Sequence, residues 1–323
     1  MIAKWGRRLL VAVQWLFAAG VTGWAIARLA GLDRWFPAAQ LISFTPYVTV
    51  VALLGTALLG AARRWRALAV AGTATLVLVA CVAPRVLPDT GSGGDGPVLR
   101  VASVNVFIGG TDPAAIVATA REQRVDLLAV QEMTPQWLAA ADEAGIGEMF
   151  PQRFTAAEYG AGGSALFSRF PLADAGSYLN AQGWFQQAYG TLTVPGAAPV
   201  RLESVHAASP YSAEMTPDWR ETLRKAPPAT PDGTVRVLLG DFNATLDHSL
   251  LRKLIGTGYR DAAETTGKGL VGTWGPYDGK PVPPVAIDHV LADERIGVRS
   301  FDAFTIDGGD HRLIVAELAL PPA

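Results

Sequence analysis

Three short polar motifs, Gly-Asp-Phe-Asn at 240–243, Ile-Asp-His at 287–289 and Gly-Gly-Asp-His at 308–311, each end or follow a β-branched, apolar run. Such runs read as strands, and polar residues at their ends lie at a sheet edge that a substrate can reach. The chain holds only four histidines, and His206, His289 and His311 all fall at such strand ends. Carboxylates, amides and imidazoles gathered in this way suit hydrolysis of a phosphate ester. That reaction needs the equatorial oxygens neutralised, a water activated and the geometry held. Oxygen ligands such as Glu132 and Asn105 suit Mg²⁺ or Mn²⁺, hard cations that take few protein groups and keep several waters. The lone cysteine, Cys81, and the absence of His-rich spacing give no structural zinc site.

The elements that must position these residues can be read coarsely. Strands are expected at 99–106, 127–131, 164–168, 189–194, 200–205, 235–239, 284–291, 298–305 and 313–318. Helices are expected at 113–124, opened by Pro113, at 134–143, at 216–225 with Thr216 as its cap, and at 249–255. Strands outnumber helices and often follow one another directly. That pattern predicts an α/β sandwich with largely antiparallel sheets and helices outside, not a doubly wound parallel fold.

The front of the chain is different. Half of the 323 residues are apolar and only 17% are charged, and the charge deficit is concentrated in residues 9–27, 41–62 and 67–84, which carry none. Each run is about long enough to cross the roughly 30 Å of bilayer hydrocarbon as a helix. Three in succession leave no polar face for water, and a cleaved signal peptide would be shorter and single. The expected organisation is a membrane domain at 1–84 with three transmembrane helices, a flexible linker at 85–98 and a globular domain at 99–323. Lys4, Arg7, Arg8, Arg63, Arg64 and Arg66 lie on one side, against Arg28, Arg34 and Arg85 on the other. The positive-inside rule then places the amino terminus in the cytoplasm and the globular domain outside a cell membrane crossed several times. The spans carry no ionisable group at mid-membrane, which argues against a channel or transporter.

Read in order, Val-Asn at 104–105, Val-Gln-Glu at 130–132, Ala-Leu-Phe-Ser-Arg-Phe-Pro at 165–171, Val-His at 205–206, Gly-Asp-Phe-Asn at 240–243, Ile-Asp-His-Val-Leu at 287–291 and Gly-Asp-His-Arg at 309–312 resemble the endonuclease/exonuclease/phosphatase superfamily. That family includes DNase I-like nucleases, apurinic endonucleases, inositol polyphosphate phosphatases and neutral sphingomyelinases. The resemblance implies a four-layered α/β sandwich with the site at one end of two packed sheets. It also implies Glu132 as the principal metal ligand, with Asn105 beside it and Asp310 completing the set. His206, Asp288 and His311 would be transition-state and acid–base residues, with Asp288 paired to His311. Asp241 and Asn243 would orient or deprotonate the attacking water. His248 and His289 match no functional position and are expected to be structural or at the surface. Arg169 is expected to be structural, and Arg220, Arg224 and Lys225 to form a solvated helix face.

Charge bears on the substrate. Of the chain's 27 basic and 29 acidic residues, 9 and 3 precede residue 99, leaving 18 and 26 in the globular domain, a net of −8. Nucleases that follow a polyanion need a basic surface. Residues 170–200 offer Trp184, Phe185 and Tyr189, and the 272–284 loop offers Trp274 and Tyr277, as either core or lipid-contacting aromatics. The expected activity is hydrolysis of a phosphodiester, with a lipid or small molecule favoured over nucleic acid. The alternatives are an extracellular nuclease or a catalytically silent binding module on the same fold.

Overall fold

Side chains alternate across a strand with a period of two, and that alternation sorts this chain into layers. The computed structural model describes residues 2–89, 95–275 and 282–323. The first sheet contains β1 (Val98–Asn105), β2 (Leu127–Gln131), β3 (Gln152–Ala156), β4 (Ser164–Ser168), β11 (Gly297–Thr305) and β12 (Arg312–Ala319), in the order β11-β12-β1-β2-β4-β3. The second contains β5 (Leu172–Leu179), β6 (Gln186–Leu192), β7 (Val200–His206), β8 (Arg236–Asp241), β9 (Tyr259–Asp261) and β10 (Asp288–Asp293), in the order β5-β6-β7-β8-β10-β9. Pairing is antiparallel except for β1 with β2 and β7 with β8.

Leu99 and Val101 of β1, Val200 and Leu202 of β7, Val237 and Leu239 of β8, and Val290 and Ala292 of β10 share one buried cluster between the sheets. The intervening residues face outward. Ala102, Val104, Leu128 and Val130 pack under α5 (Pro113–Glu122), α6 (Pro135–Glu143) and α7 (Ile146–Met149). Val205, Leu238 and Leu291 pack under α8 (Thr216–Lys225) and α9 (Ser249–Ile255). The result is the four-layered α/β sandwich expected from the sequence. A short α10 (Ala262–Thr265) follows β9.

Several boundaries differ from expectation. Thr216 does not cap α8: its hydroxyl donates to the Ser212 carbonyl at 2.6 Å, and Met215 holds the cap position. The 284–291 run becomes a strand only from Asp288. β3 and β5 lack an apolar alternation because they lie at sheet edges with one or both faces open. Edge strands carry less of the patterning that makes a strand readable.

Ahead of the sandwich stand α1 (Ile2–Ala30), a short α2 (Ala38–Leu41), α3 (Thr45–Ala61) and α4 (Trp65–Val82). Three helical stretches, Trp5–Ala30, Ala38–Ala61 and Trp65–Val86, are long and apolar enough to cross a membrane. They pack through small residues, with Ala18, Ala25, Ala52, Ala67, Ala71 and Ala74 all buried. Small residues let helix backbones approach where no water drives them together. At Gly55 a Cβ would lie 2.2 Å from the Phe17 ring, so any larger residue there would have to push that ring aside. Outward, Leu16, Leu54, Leu58 and Leu76 are exposed apolar residues.

The helices are fastened to the sandwich. Asp247, fully buried, accepts from Arg28 Nε at 2.8 Å and from both terminal nitrogens of Arg85 at 2.6 and 2.7 Å. Arg28 and Arg85, counted from sequence as loop charges, are therefore buried ion-pair partners. Asp33 accepts from the Ser249 amide at 2.6 Å, and Tyr47 donates to the Pro284 carbonyl at 2.7 Å. The Thr245 amide donates to His248 Nδ1, which leaves Nε2–H to donate to the Ala39 carbonyl at 2.6 Å. Ala39 itself is buried in the cluster that holds Trp219, Phe242 and Leu251. Of the expected flexible linker, Arg85 to Asp89 are docked on the sandwich, with Asp89 N donating to Thr265 O and Pro88 bridged to Thr266. Residues 90–94 lie outside those described.

Candidate active site

Asn105, His206, Asp241 and Asp288 continue the inward-facing registers of β1, β7, β8 and β10 to the strand ends. At that end the apolar filling stops and polar side chains from both sheets converge. Asp241 and Asp288 are cross-strand partners in the antiparallel β8–β10 pair, and His206 lies beside Asp241 in the parallel β7–β8 pair. Gly240 makes this possible. Its φ is 147°, and a Cβ there would sit 2.0 Å from the Val205 carbonyl oxygen, so β8 can approach β7 this closely only with glycine.

The first sheet supplies the other half. Glu132 follows β2 with φ at 58°, a left-handed conformation uncommon outside glycine. That turn aims its carboxylate at the loop after β1, where Oε2 accepts from the Ile108 amide at 2.7 Å. Asn105 Nδ2 donates to Glu132 Oε1 at 3.0 Å and to Asp241 Oδ2 at 3.2 Å, while its oxygen accepts from the Phe107 amide. Asn105 thus bridges carboxylates of the two sheets, with its nitrogen rather than its oxygen turned toward them. Asp310 precedes β12; Oδ2 accepts from Trp274 Nε1 at 3.0 Å, and Oδ1 is buried with no hydrogen-bond partner among the described residues. Asn243, also left-handed with φ at 47°, donates its amide and Nδ2 to Asp241 and Nδ2 to the Ala207 carbonyl.

His311 faces Asp288 across the seam between the sheets. Its Nδ1 lies 3.0 and 2.9 Å from the two Asp288 oxygens, and Nε2 is 3.7 Å from Asp241 Oδ2 and 4.0 Å from Asp310 Oδ1. Burial opposes a charged imidazole, but Asp288, Asp241 and Asp310 outweigh it and lift His311 to about 10. Asp241 moves up to about 7, chiefly because it is buried and Asp288 repels it, with His311 opposing. Burial also raises Glu132, and neighbouring Asp310 adds to this, while Asn105, the Ile108 amide and His311 pull the other way. His206 is pushed down to about 3 by burial and the His311 charge, so its ring is neutral. Its Nε2 lies 3.6 Å from Glu132 Oε1, and the Phe185 ring lies against it at 4.3 Å. A neutral imidazole and an imidazolium therefore face one another over the same cluster.

Glu132 and Asp310 repel each other, and Asp310 keeps a buried, unpartnered oxygen. That is the donor set a hard divalent cation takes. Asp241, Asp288 and His311 also bring ligand-type atoms within 4.8 Å of one another. Because His311 Nδ1 is committed to Asp288 and its charge balances the carboxylates, that trio is an ion-paired cluster.

Several other residues singled out in the sequence lie apart from this centre. His289, one residue from Asp288, points to the opposite side of the sheet, where it is held by Asp261 at 2.7 Å and the Ala244 carbonyl at 2.8 Å. Arg169 pairs with Asp126, and Arg224 and Lys225 pair with Glu221 along α8. Tyr189 stacks under Arg201. Phe185 and Trp274 line the site, whereas Tyr277 falls outside the described residues. The sequence reading missed the outer wall. A cavity of about 550 Å³ above the cluster is closed on one side by Ala39, Leu41, Ser43 and Phe44 of the segment between the first two long helices, and on another by Tyr211 and Met215. These residues carry no motif, and the 39–44 segment lies more than 150 positions from His206 and Asp241 in the chain.

Solved structures resemble the sandwich in fold. An endonuclease/exonuclease/phosphatase from Beutenbergia cavernae aligns with a TM-score of 0.53 at 19% identity, over 69% of this chain and 72% of that one. Humanized D. rerio TDP2 with 14 mutations aligns with a TM-score of 0.56 at 17% identity, over 68% and 98%. Truncated Caenorhabditis elegans TDP2 gives 0.53 at 16% identity, over 69% and 98%. No curated protein matches the sequence. Residues 102–311, which hold every polar group of the seam, match the Endonuclease/Exonuclease/phosphatase family, and the chain is a member of that family of phosphoester hydrolases.

Proposed function

We propose that this protein is a membrane-embedded, Mg²⁺- or Mn²⁺-dependent phosphodiesterase acting on the extracytoplasmic face, with a lipid or other small phosphodiester as substrate. The observation that carries the reading is the paired His311 and Asp288 facing Asp241, opposite Glu132 and Asn105, beneath a cavity walled by the membrane helices. Glu132 and Asp310, with Asn105 beside them, would hold the cation, which would supply charge neutralisation to a phosphoryl oxygen. His311, kept protonated by Asp288, donates from Nε2 to a phosphoryl oxygen as negative charge builds there. Asp241, buried and raised to about 7, takes a proton from the attacking water as the P–O bond to the leaving alkoxide breaks, and the alkoxide takes its proton from solvent. A base poised near neutrality is suited to that task. Asn243 fixes the Asp241 carboxylate, and neutral His206 offers a ring N–H toward the same centre.

Charge supports the substrate class. The globular domain carries −8, and the cavity wall is built from apolar and aromatic side chains, which suit a small or lipid diester better than a polyanion. It also supports the topology. Arg28 and Arg85 are neutralised by Asp247, so the basic excess on the far side of the helices counts for more under the positive-inside rule. A cysteine placed at the exposed Tyr159 should be labelled by an impermeant reagent on intact cells; labelling only after permeabilisation would overturn the orientation.

The test of the activity is hydrolysis of a chromogenic phosphodiester by the full chain in detergent. Turnover should vanish in EDTA, return with Mg²⁺ or Mn²⁺, and be lost or need far more metal in Glu132→Gln. Undiminished hydrolysis by Glu132→Gln in EDTA would rule the reading out.

A further inference from the structure

A second cavity, of about 380 Å³, lies beside the first, between the membrane helices and the sandwich. Pro46, Val50 and Leu53 line it from α3 at positions i, i+4 and i+7, which share one helix face. Val79 and Val82 line it from the last turn of α4, and Leu270 from the sandwich. Among the described residues its only charged side chains, Arg85 and Asp247, are bonded to each other. From Thr45 to Leu53 the helix rises by about 12 Å, a large part of the distance from the interface to the centre of roughly 30 Å of hydrocarbon. Val50 and Leu53 are also half exposed, so the groove is open along this face of a stretch long and apolar enough to cross a membrane. At its inner end it shares Ser43 and Val285 with the catalytic cavity. Ser43 and Val285 thus stand where a mostly apolar groove adjoins the catalytic cavity.

We infer that this groove holds one acyl chain of the lipid whose phosphate is cleaved at the His311–Asp288 centre, so that substrate enters laterally from the bilayer. The inference rests on the phosphodiesterase reading and adds how the substrate is selected. The occupant is a lipid tail because the groove's outer end lies at hydrocarbon depth, its wall is apolar, and its inner end meets the catalytic cavity. Its volume is within the roughly 300–1,000 Å³ of small-molecule sites. Tyr47, which donates to the Pro284 carbonyl, ties α3 to the segment leading into Asp288, next to Val285, which lines both cavities.

The experiment uses the full chain in phosphatidylcholine vesicles containing phosphatidylglycerol with a photoreactive diazirine on its acyl chain, in EDTA to prevent turnover. After irradiation, cross-links should concentrate on residues 46–53, 79–82 and 270. Leu53→Trp, which fills the groove, should reduce them about tenfold, while Leu58→Trp, on the open helix surface, should not. With metal present, Leu53→Trp should lower the ratio of long-chain to short-chain phosphodiester turnover about tenfold, and Leu58→Trp should leave that ratio alone. Cross-links spread evenly over the outward helix surfaces, or insensitive to Leu53→Trp, would overturn the inference. So would a groove that yields no lipid adducts because another polypeptide occupies it. If the chromogenic diester is cleaved but the groove stays unlabelled, the groove fails and the phosphodiesterase reading stands. If the groove labels but no diester is cleaved, the groove stands and the catalytic reading fails.

Discussion

Asp247→Asn should loosen the hold of the sandwich on its helices, and the size of the effect can be worked from the contacts. The Asp247 side chain is fully buried, and its carboxylate takes three hydrogen bonds from Arg28 and Arg85. Arg252 lies close enough that burial and the charges of Arg28 and Arg85 depress it to about 10, with Asp33 and Asp247 opposing. Neutralising Asp247 leaves these guanidiniums buried together without their main counter-charge. Removing one member of a buried ion pair costs about 3–5 kcal/mol, largely because the partner is left uncompensated. A local opening of the interface would then be favoured by roughly 10²–10⁴-fold. Hydrogen exchange of the Ser249 amide, bonded to Asp33 at 2.6 Å, reads that opening in the full chain. Exchange should accelerate by this factor, and proteolysis between residues 84 and 98 should become easy. A triple replacement, Arg28→Leu, Arg85→Met and Asp247→Leu, removes all three charges and should recover most of the protection. Acceleration by less than tenfold in Asp247→Asn, or a triple variant as open as the single one, would refute the electrostatic argument.

Two further outcomes follow from the site. His311→Ala and Asp288→Ala should each lower turnover of a chromogenic diester by on the order of 10²–10⁴-fold, with the double variant little worse than the poorer single one; an active Asp288→Asn, or losses that multiply, would show that His311 acts alone. His206, held at about 3 when folded against roughly 6.5 unfolded, takes up its proton only in the unfolded chain as the pH falls through that window. Metal-free wild type should therefore lose stability between about pH 6.5 and pH 3 by up to roughly 1.4 kcal/mol per pH unit more than His206→Asn. Equal acid-side slopes in thermal unfolding of the two proteins would contradict a buried, neutral ring.

Much of the site is legible in the sequence because a strand keeps its inward register to its last residue. The parity that buries Val237 and Leu239 also delivers Asp241, and that of Val290 and Ala292 delivers Asp288. The same rule separates His289 from its neighbour and sends it to the opposite face. Other features leave no local trace. β5 is an edge strand with few buried side chains, and the Thr216 hydroxyl found a carbonyl in the preceding turn instead of capping its helix. Arg28, Arg85 and Ala39 meet Asp247 and His248 across more than 150 positions, contacts that depend on how two separate bodies of secondary structure dock. Sequence patterning reports which face of an element is buried, and is silent on which distant element covers it.

The seam has a consequence for when the protein can act. Asn105 and Glu132 come from the first sheet and Asp241 and Asp288 from the second, while His311 stands just before β12, the final strand of the chain. β12 pairs with β1, Val98 against Ala319, and also carries β11 on its other edge. Until that strand is laid down, the first sheet is open in its middle and Asp288 has no imidazole to hold. A chain that has folded only as far as β11 therefore possesses its helices, its cavity wall and most of its polar groups, yet lacks the His311 imidazole that Asp288 holds. The strand that closes the first sheet and the imidazole that completes the seam are thus laid down together.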